Sequence, residues 1–338
     1  MKQTVLIGLG GTGSRTVNNV AKLLREKEID INDGIVTCAV LDTNQEDNQF
    51  IKNSGTEIPV IPTCDDRDID RYLQDYAHQD PLAWCPYSRA FGAENMIDGA
   101  SEMRVKSRLA FMDVMSSSKI IELQNAMERV FHNRPGTPEK IRVMLVSSLS
   151  GGTGAGMFLQ TALWLRKFFE SRNCQVTIRG IFLLPDIFIR TIPNIRDNPR
   201  KKLYHYGNAY AAIRELNAPN KIVKGHLKPE RPIIIPDLFD SRKPPRKPLF
   251  DNAFFIDDVD AKGAAFTSIE AYEEMVAQIV YMQLYAPMCS EMISVEDNLF
   301  RAFEKSREPV FGSCGTAKAV YRTLGKKELC CSARGHYR

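Results

Sequence analysis

The sequence predicts an α/β fold in which a Rossmann-like parallel β-sheet carries helices on both faces. Four short runs rich in β-branched residues, bounded by Gly, Asp or Pro, have the composition of buried strands: residues 4–7, 35–41, 141–147 and 176–184. Three longer runs between them have the spacing of helices: residues 14–28, 102–131 and 157–172. Strands that alternate with helices favour a parallel sheet, because each crossover helix returns the chain to the same edge.

The pattern changes after residue 216. Residues 217–250 are rich in proline and basic side chains, which predicts an insert that is largely loop. A last strand is predicted at 253–256, followed by a long, buried central helix at 267–285. The predicted parts of the chain are the main α/β domain (1–216), the basic Pro-rich insert (217–251), the last strand with the central helix (252–290) and a partial or truncated second domain (291–338).

The composition excludes several classes of protein. The 338-residue chain has 43% hydrophobic and 25% charged residues, which is typical of a globular protein and not of a disordered one. No stretch approaches the ~18 apolar residues of a membrane span. The net charge of +4 is too small to indicate nucleic acid, so no DNA binding is predicted. Eight scattered cysteines and a start without a signal peptide favour reduced thiols in the cytoplasm.

A first glycine loop, GLGGTGSR at residues 8–15, lies between a predicted strand and a predicted helix. Glycine lets the backbone approach a phosphate closely, and the free N–H groups at the start of a helix bind anions. Gly8, Gly10 and Gly13 also satisfy the G-x-G-x-x-G pattern of dinucleotide-binding folds, with Asp42 placed to bind a ribose hydroxyl. The doubled glycine suits ATP-dependent adenylating enzymes as well, so this loop alone leaves the ligand open.

A second glycine loop, SLSGGTGAGM at residues 148–157, follows another predicted strand and opens another helix. Its glycines and the hydroxyl of Thr153 offer a second set of phosphate-binding groups. Two such loops at the carboxyl ends of parallel strands suit a polyphosphate held from both sides. The chain has no G-x-x-x-x-G-K-S/T motif, which excludes a P-loop protein.

The second loop resembles the signature of the tubulin/FtsZ family. Residues 150–156, SGGTGAG, fit the pattern of a small residue before G-G-T-G, then Ser, Ala or Thr, then Gly. Other landmarks follow in the family's order: Asp42-Thr43-Asn44 after the second strand, Gly99-Ala100 with Arg104 and Arg108 downstream, and Gly207-Asn208-Ala209, which is similar to the Tyr-Asn-Ala of tubulin. The resemblance covers about residues 3–290, and it is greater to the large bacterial tubulin-like proteins than to tubulin or FtsZ.

The resemblance implies the GTPase-domain fold of that family, with 1–216 as the GTP-binding domain and with GTP or GDP and Mg2+ as ligands. It assigns the phosphates to Gly10, Gly11, Thr12, Gly13 and Ser14 of the first loop and to Ser150, Gly151, Gly152, Thr153 and Gly154 of the second. Gly99 and Ala100 would approach the γ-phosphate, and Arg104 would supply a positive charge. Asp42 and Asn44 would contact the nucleotide or orient the waters of Mg2+, although Asn44 suits a helix N-cap nearly as well.

Guanine requires an acceptor for its ring N–H and its exocyclic amine. The resemblance assigns this task to Asn208. It also implies that Phe266 stacks on the base and that Glu270, four residues later on the same helical face, accepts its protons. A buried Phe beside a solvated Glu is the alternative for this pair. Arg15 stands where FtsZ has Asn, which is a departure on the base side of the site.

The family hydrolyses GTP only after polymerising, when a neighbouring subunit inserts an acidic loop that orients the attacking water. Glu296 and Asp297 are the local candidates for this acid, although the spacing around them departs from the family pattern. Helix N-capping is the alternative role for these two residues. The predicted function is therefore GTP binding, with hydrolysis coupled to self-assembly into a homo-oligomer or filament.

Two other functions stay open at this stage. The chain could be a GTP-binding module that holds a partner without polymerising, or an NAD-dependent oxidoreductase that uses the first loop and Asp42. The second glycine loop would have no purpose in the oxidoreductase. The basic stretch 217–250 predicts either a solvated loop or a contact for an acidic protein partner or a membrane surface.

Overall fold

The computed structural model describes residues 3–31, 34–79, 85–97, 99–131, 140–223, 249–259 and 263–285, and the strand segments 311–314 and 321–324. Within these residues the chain forms one eight-stranded sheet: β1 (Thr4–Leu9), β2 (Val36–Asp42), β3 (Val60–Pro62), β4 (Lys140–Ser148), β5 (Gln175–Leu183), β6 (Asn252–Ile256), β7 (Phe311–Cys314) and β8 (Tyr321–Leu324). The order across the sheet is β3-β2-β1-β4-β5-β6-β7-β8, and every neighbouring pair is parallel except β7 and β8. The predicted α/β class with a parallel sheet is confirmed.

The same part of the chain contains eleven α-helices. They are α1 (Gly10–Arg25), α2 (Gln45–Lys52), α3 (Ile69–Asp75), α4 (Arg89–Gly92), α5 (Arg104–Ser116), α6 (Lys119–Glu128), α7 (Thr153–Glu170), α8 (Asp186–Thr191), α9 (Pro193–Arg196), α10 (Pro199–Val223) and α11 (Ile269–Tyr285). Short 3-10 helices occur at Ala77–Gln79 and Arg129–Phe131.

The sheet has a hydrophobic core on each face. In β1, Val5 and Ile7 point into a core with α5, α6, α7 and α10, whereas Leu6 points into a second core with α1 and α11. Successive side chains of a strand point to opposite faces, so both sets are buried only if helices cover both sides. This burial explains why the strands are nearly continuous apolar runs.

The register of the central strands aligns their carboxyl ends. Leu9 of β1 pairs with Leu41 of β2 and with Ser147 of β4, and Ser148 pairs with Leu183 of β5. The segments that follow these strands therefore lie side by side at one edge of the sheet, where ligands of open α/β folds bind.

The helices differ from prediction at their ends and at one break. α1 and α7 begin at Gly10 and Thr153, earlier than predicted, so residues of the glycine loops form their first turns. The predicted helix over 102–131 is two helices, because Ser117 is extended, with φ −118° and ψ 179°. Ser117 Oγ accepts the Lys119 N–H at 3.3 Å, a local bond that competes with helix continuation.

The segment predicted as an insert begins in a helix and not in a loop, because α10 continues to Val223. Residues 224–248 lie outside the described part of the chain. Within residues 291–338, which were predicted as a partial second domain, strands β7 and β8 extend the edge of the main sheet. The division of the chain into domains stays a prediction.

Two further observations concern membranes and thiols. Among the helices that the structure describes, none combines the length and the apolar composition needed to cross a bilayer. The cysteines with described side chains are buried free thiols: Cys38, Cys64, Cys85 and Cys174.

Candidate functional site

The two glycine loops lie against each other at the carboxyl edge of the sheet. The first follows β1, and the second follows β4, the neighbouring strand. A Cβ atom placed on Gly10 would lie 3.1 Å from the Gly154 nitrogen and 3.3 Å from Thr153 Cβ. Gly10 has a φ of +70°, a conformation that favours glycine. The structure thus brings together the two loops that the sequence singled out.

Both helices that start in these loops have uncapped N-termini. The residues before α1 and α7, Leu9 and Gly152, make no side-chain capping bond, and neither first turn contains an acidic residue. The first N–H groups of a helix have no partner within the helix and carry partial positive charge. Two such termini side by side are suited to bind an anion with several charged groups.

The glycines of the first loop have two kinds of neighbour. A Cβ on Gly13 would lie 2.5 Å from the Val146 oxygen, so glycine is needed there for α1 to pack directly on β4. A Cβ on Gly11 would lie 2.3 Å from Asp47 Oδ2. Ser14, which follows Gly13 in α1, has a buried hydroxyl without a hydrogen-bond partner. This hydroxyl is a polar group that a ligand can satisfy.

The second loop is packed at Gly152 and Gly154 and open at Gly151. A Cβ on Gly152 would lie 2.7 Å from the Met103 nitrogen, and one on Gly154 would lie 2.2 Å from Ser147 Oγ. A Cβ on Gly151 would have no atom within 4 Å. Gly151 is therefore the position where this loop faces open space.

Residues Gly99–Glu102 form a third loop beside the second. Gly99, Ser101 and Glu102 have φ values of +103°, +46° and +65°, and such values for two non-glycine residues require support from neighbours. The Ala100 Cβ would lie 2.8 Å from a Cβ on Gly152, and Asn44 Nδ2 would lie 3.4 Å from a Cβ on Gly99. The predicted γ-phosphate segment thus lies between the second loop and the residues that follow β2.

The end of β2 contributes three polar residues to the same edge. Thr43 Oγ1 lies 2.7 Å from Thr153 Oγ1, which links β2 to the start of α7. Asn44 Oδ1 accepts the Asp47 N–H at 2.9 Å, so Asn44 is the N-cap of α2. Asp42 is 1% exposed, and its Oδ2 makes no hydrogen bond. Burial, reinforced by the nearby Asp47 carboxylate, raises the pKa of Asp42 to about 7.

These residues would fit a Mg2+ ion whose other ligands came from a bound polyphosphate and water. Carboxylate and amide oxygens are ligands that Mg2+ prefers, and Asp42 Oδ2 is an acceptor without a donor. Within the described residues, no three His, Cys, Asp or Glu side chains converge on a metal position. Phosphate oxygens and water would therefore supply most of the ligands, with Asp42 and Asn44 beside them.

Arg104 lies next to the second loop in a buried ion-pair cluster. Its Nε donates to the Ala155 carbonyl oxygen at 3.0 Å, and its guanidinium pairs with Glu215 of α10. Arg108 pairs with the same carboxylate at 2.7 Å. The cluster joins α5, α7 and α10, so Arg104 has a packing role besides its predicted contact with phosphate.

Asn208 and His205 of α10 hold the second and third loops together. Asn208 Nδ2 donates to the Glu102 oxygen at 2.8 Å and to the Ser150 oxygen at 3.1 Å. His205 Nδ1 lies 2.7 Å from Ser150 Oγ, and His205 Nε2 lies 3.5 Å from Glu102 Oε1. The amide nitrogen of Asn208 is thus engaged by backbone on the side of the predicted γ-phosphate segment.

The predicted base-side residues lie at the start of α11. Phe266 is half-buried, with its ring centroid 5.8 Å from that of Tyr272, and Glu270 is exposed in the first turn. Glu273, one turn further along, is buried and accepts from Arg15 Nε at 3.1 Å, while Arg15 Nη1 pairs with Asp47 at 2.6 Å. Burial raises the pKa of Glu273 to about 7.

Sequence reasoning missed four polar residues of this edge: Asp47, His205, Glu215 and Glu273. Their partners are distant in the sequence: Arg15 and Glu273 are 258 positions apart, and Arg104 and Glu215 are 111 positions apart. A charged residue within a predicted apolar helix face, such as Glu273, was the available signal. The predicted catalytic acids Glu296 and Asp297 lie outside the described residues.

Comparison with curated proteins found no match. Among solved structures, the chain is similar to CetZ2 from Haloferax volcanii in a GTPγS-bound protofilament, with 15% identity, coverage of 87% of this chain and 62% of that chain, and a TM-score of 0.44. It is also similar to CetZ from Methanosaeta thermophila, with 16% identity, 84% and 53% coverage and a TM-score of 0.42. TubZ of Bacillus thuringiensis serovar israelensis, in a GTPγS-form protofilament, gives 11% identity, 83% and 56% coverage and a TM-score of 0.43. The chain spans less than two thirds of the length of each of these proteins.

A family model described as "Tubulin like" matches residues 5–330, which is nearly the whole chain. This match confirms the resemblance that the second glycine loop and the order of the other landmarks indicated. The chain belongs to the tubulin-like family.

Proposed function

We propose that this chain binds GTP and GDP with their phosphates between the two glycine loops. The observation that carries the proposal is the contact between the loops, where a Cβ on Gly10 would lie 3.1 Å from the Gly154 nitrogen. Two uncapped helix termini meet there, and no acidic residue lies in either first turn. Membership of the tubulin-like family supports a guanine nucleotide over other polyphosphates.

The residues have distinct roles in this proposal. Backbone N–H groups of Gly10 to Ser14 and of Ser150 to Gly154 bind phosphate oxygens, and the Ser14 hydroxyl donates to one of them. Gly99 and Ala100 bring backbone close to the terminal phosphate. Asp42 and Asn44 accept from waters of Mg2+, which supplies positive charge against the phosphates when bound. Asn208, Phe266 and Glu270 remain the candidates for the base.

We also propose that hydrolysis requires self-association. Phosphoryl transfer depends on positioning and charge stabilisation, and a polar or acidic residue orients the attacking water. Asp42 is 1% exposed, so this proposal assigns its carboxylate to Mg2+ and not to the attacking water. Glu296 or Asp297 of a neighbouring subunit is the candidate acid, so the site is completed only in a homo-oligomer.

Thermal unfolding with GTP, GDP, ATP and NAD, each with Mg2+, tests nucleotide binding. A ligand at 100 times its Kd adds about 2.7 kcal/mol to the free energy of unfolding, which raises the unfolding temperature measurably. We expect GTP and GDP to stabilise the protein and ATP and NAD to leave it unchanged. Stabilisation by NAD alone would favour the oxidoreductase that the first loop left open.

Turnover at several protein concentrations tests the second proposal. We expect the rate of phosphate release per chain to rise with protein concentration, because each active site needs a neighbour. A rate per chain that is independent of concentration would contradict the requirement for self-association. No phosphate release from a protein that binds GTP would favour the non-polymerising module.

A further inference from the structure

The outward face of α10 carries an exposed aromatic and basic stripe. Its members recur at helical spacing and lie opposite the buried positions of the same helix; they are Arg200, Leu203, Tyr204, Gly207, Tyr210 and Arg214. Leu203, Tyr204 and Tyr210 are 59%, 50% and 57% exposed. Three large apolar side chains on one face of one helix are more than scattered surface residues.

The charged side chains on this outward α10 face are all basic. Arg200 Nε donates to the Tyr204 hydroxyl at 3.1 Å, and the Arg214 guanidinium lies 5.6 Å from the centroid of the Tyr210 ring. α10 contains one carboxylate, Glu215, and it points inward to pair with Arg104 and Arg108. The exposed arginines therefore have no carboxylate on their own helix to neutralise them.

The inward face of α10 holds the helix in place. Ala209 and Ala212 are buried in the core, and Asn208 and His205 bond to the second and third loops. A partner that binds the outward face therefore meets a pre-ordered helix and does not have to order it, which lowers the entropic cost of binding.

We propose that the outward α10 face docks an acidic segment of a partner protein that carries apolar anchor residues. Tyr and Arg are among the side chains that contribute most at protein interfaces, and here they surround a glycine. A Cβ on Gly207 would have no atom within 4 Å, so the centre of the stripe is an open notch that accepts an apolar anchor. Carboxylates beside the anchor pair with Arg200 and Arg214.

The geometry favours an acidic protein over a membrane or a nucleic acid. An amphipathic helix that lies on a bilayer needs a continuous apolar face, and this face is interrupted by Gly207 and bounded by two arginines. Stacking with bases needs free aromatic faces, and the ring of Tyr210 is accompanied by Arg214. The proposal does not depend on nucleotide binding, which uses the opposite side of the helix.

A peptide-display selection on the full chain, with random peptides as the probe, tests the proposal. We expect the selected pool to be enriched in Asp and Glu and in large apolar residues. Gly207→Glu should weaken binding of the selected peptides by about tenfold or more, because it fills the notch and adds a like charge. Gly207→Ala should change it by no more than about twofold, and the extra helix propensity of Ala protects the fold. Tyr204→Ser with Tyr210→Ser gives a second variant.

Several results would overturn the proposal. One is a pool without acidic enrichment. Another is peptide binding that Gly207→Glu leaves unchanged, or that Ile121→Glu, on an exposed site of α6, weakens as much as Gly207→Glu does. A third is retention on phosphatidylserine vesicles or single-stranded DNA that Gly207→Glu abolishes. A fourth is a homo-oligomer that sedimentation detects in the parent chain and not in Gly207→Glu. Stabilisation of both Gly207 variants by GTP separates any of these failures from failure of the nucleotide proposal.

Discussion

At the scale of single residues, the burial of Asp42 makes the stability of the fold depend on pH. Its pKa is raised to about 7 by burial, so the folded protein holds a proton between about pH 4 and pH 7 that the unfolded chain releases. Stability should therefore rise as the pH falls through 7 towards 4. Asp42→Asn removes the contribution of this carboxyl to the pH dependence and should stabilise the free protein at pH 8 by roughly 1–3 kcal/mol.

Denaturant unfolding at pH 8 and pH 5 measures this effect, with Glu122→Gln on the exposed surface of α6 as the control. The same Asp42→Asn substitution should weaken the dependence of GTP binding on Mg2+, because the acceptor beside the ion loses its charge. Equal pH dependence in Asp42→Asn and the parent chain would contradict the account of this carboxyl.

Arg15 is a second residue whose effect depends on pH. It pairs with Asp47 and with the buried Glu273, whose pKa is raised to about 7. Arg15→Ala leaves Glu273 buried without its cation, and we expect a loss of roughly 1–3 kcal/mol at pH 8. The loss should shrink at pH 5.5, where Glu273 is protonated. Arg71→Ala, at an exposed arginine of α3, should show no such contrast in the same unfolding experiment.

At the scale of elements, α10 joins the second and third loops. Asn208→Ala removes the donor to two backbone oxygens, those of Glu102 and Ser150, and should destabilise the fold by roughly 1–3 kcal/mol. The third loop holds two non-glycine residues at positive φ, so it should exchange its amide hydrogens faster in this variant. Hydrogen exchange over 99–103 and 148–152 measures this, with Leu203→Ala on the outward face as the control. Unchanged exchange in Asn208→Ala would contradict the proposed coupling.

The elements that sequence predicted well are those that one local pattern determines. The five predicted strands lie within a few residues of β1, β2, β4, β5 and β6, because β-branched runs such as TVLI and IVTCAVL suit buried parallel strands. The short strands β3, β7 and β8 were not predicted. The start of α1 was placed late because a glycine loop does not look helical, although its amides complete the first turn. α10 was not predicted, since its outward face carries Leu203, Tyr204 and Tyr210 and its inward face includes His205, which obscures the apolar period.

At the scale of the whole molecule, the sheet order explains which parts of the site were predictable. The sequence predicted that both glycine loops lie at the carboxyl ends of parallel strands, and the neighbouring places of β1 and β4 in the sheet bring Gly10 to Gly154. Partnerships between helices, such as Arg104 with Glu215, depend on packing between distant segments and leave no local pattern. The same limit applies to two adjacent glycines. Gly152 is tightly packed and Gly151 faces open space, but nothing in the sequence distinguishes them.

This difference between two adjacent glycines provides the most direct test of the central claim, that a guanine nucleotide is held between the two loops. Gly151→Asp places a carboxylate where a Cβ meets no atom within 4 Å, so the fold should be kept while the phosphates are repelled. Calorimetric titration with GTP and Mg2+ should show affinity lowered by about 100-fold in Gly151→Asp and by far less in Gly151→Ala. Unchanged GTP affinity in a folded Gly151→Asp protein would contradict the account.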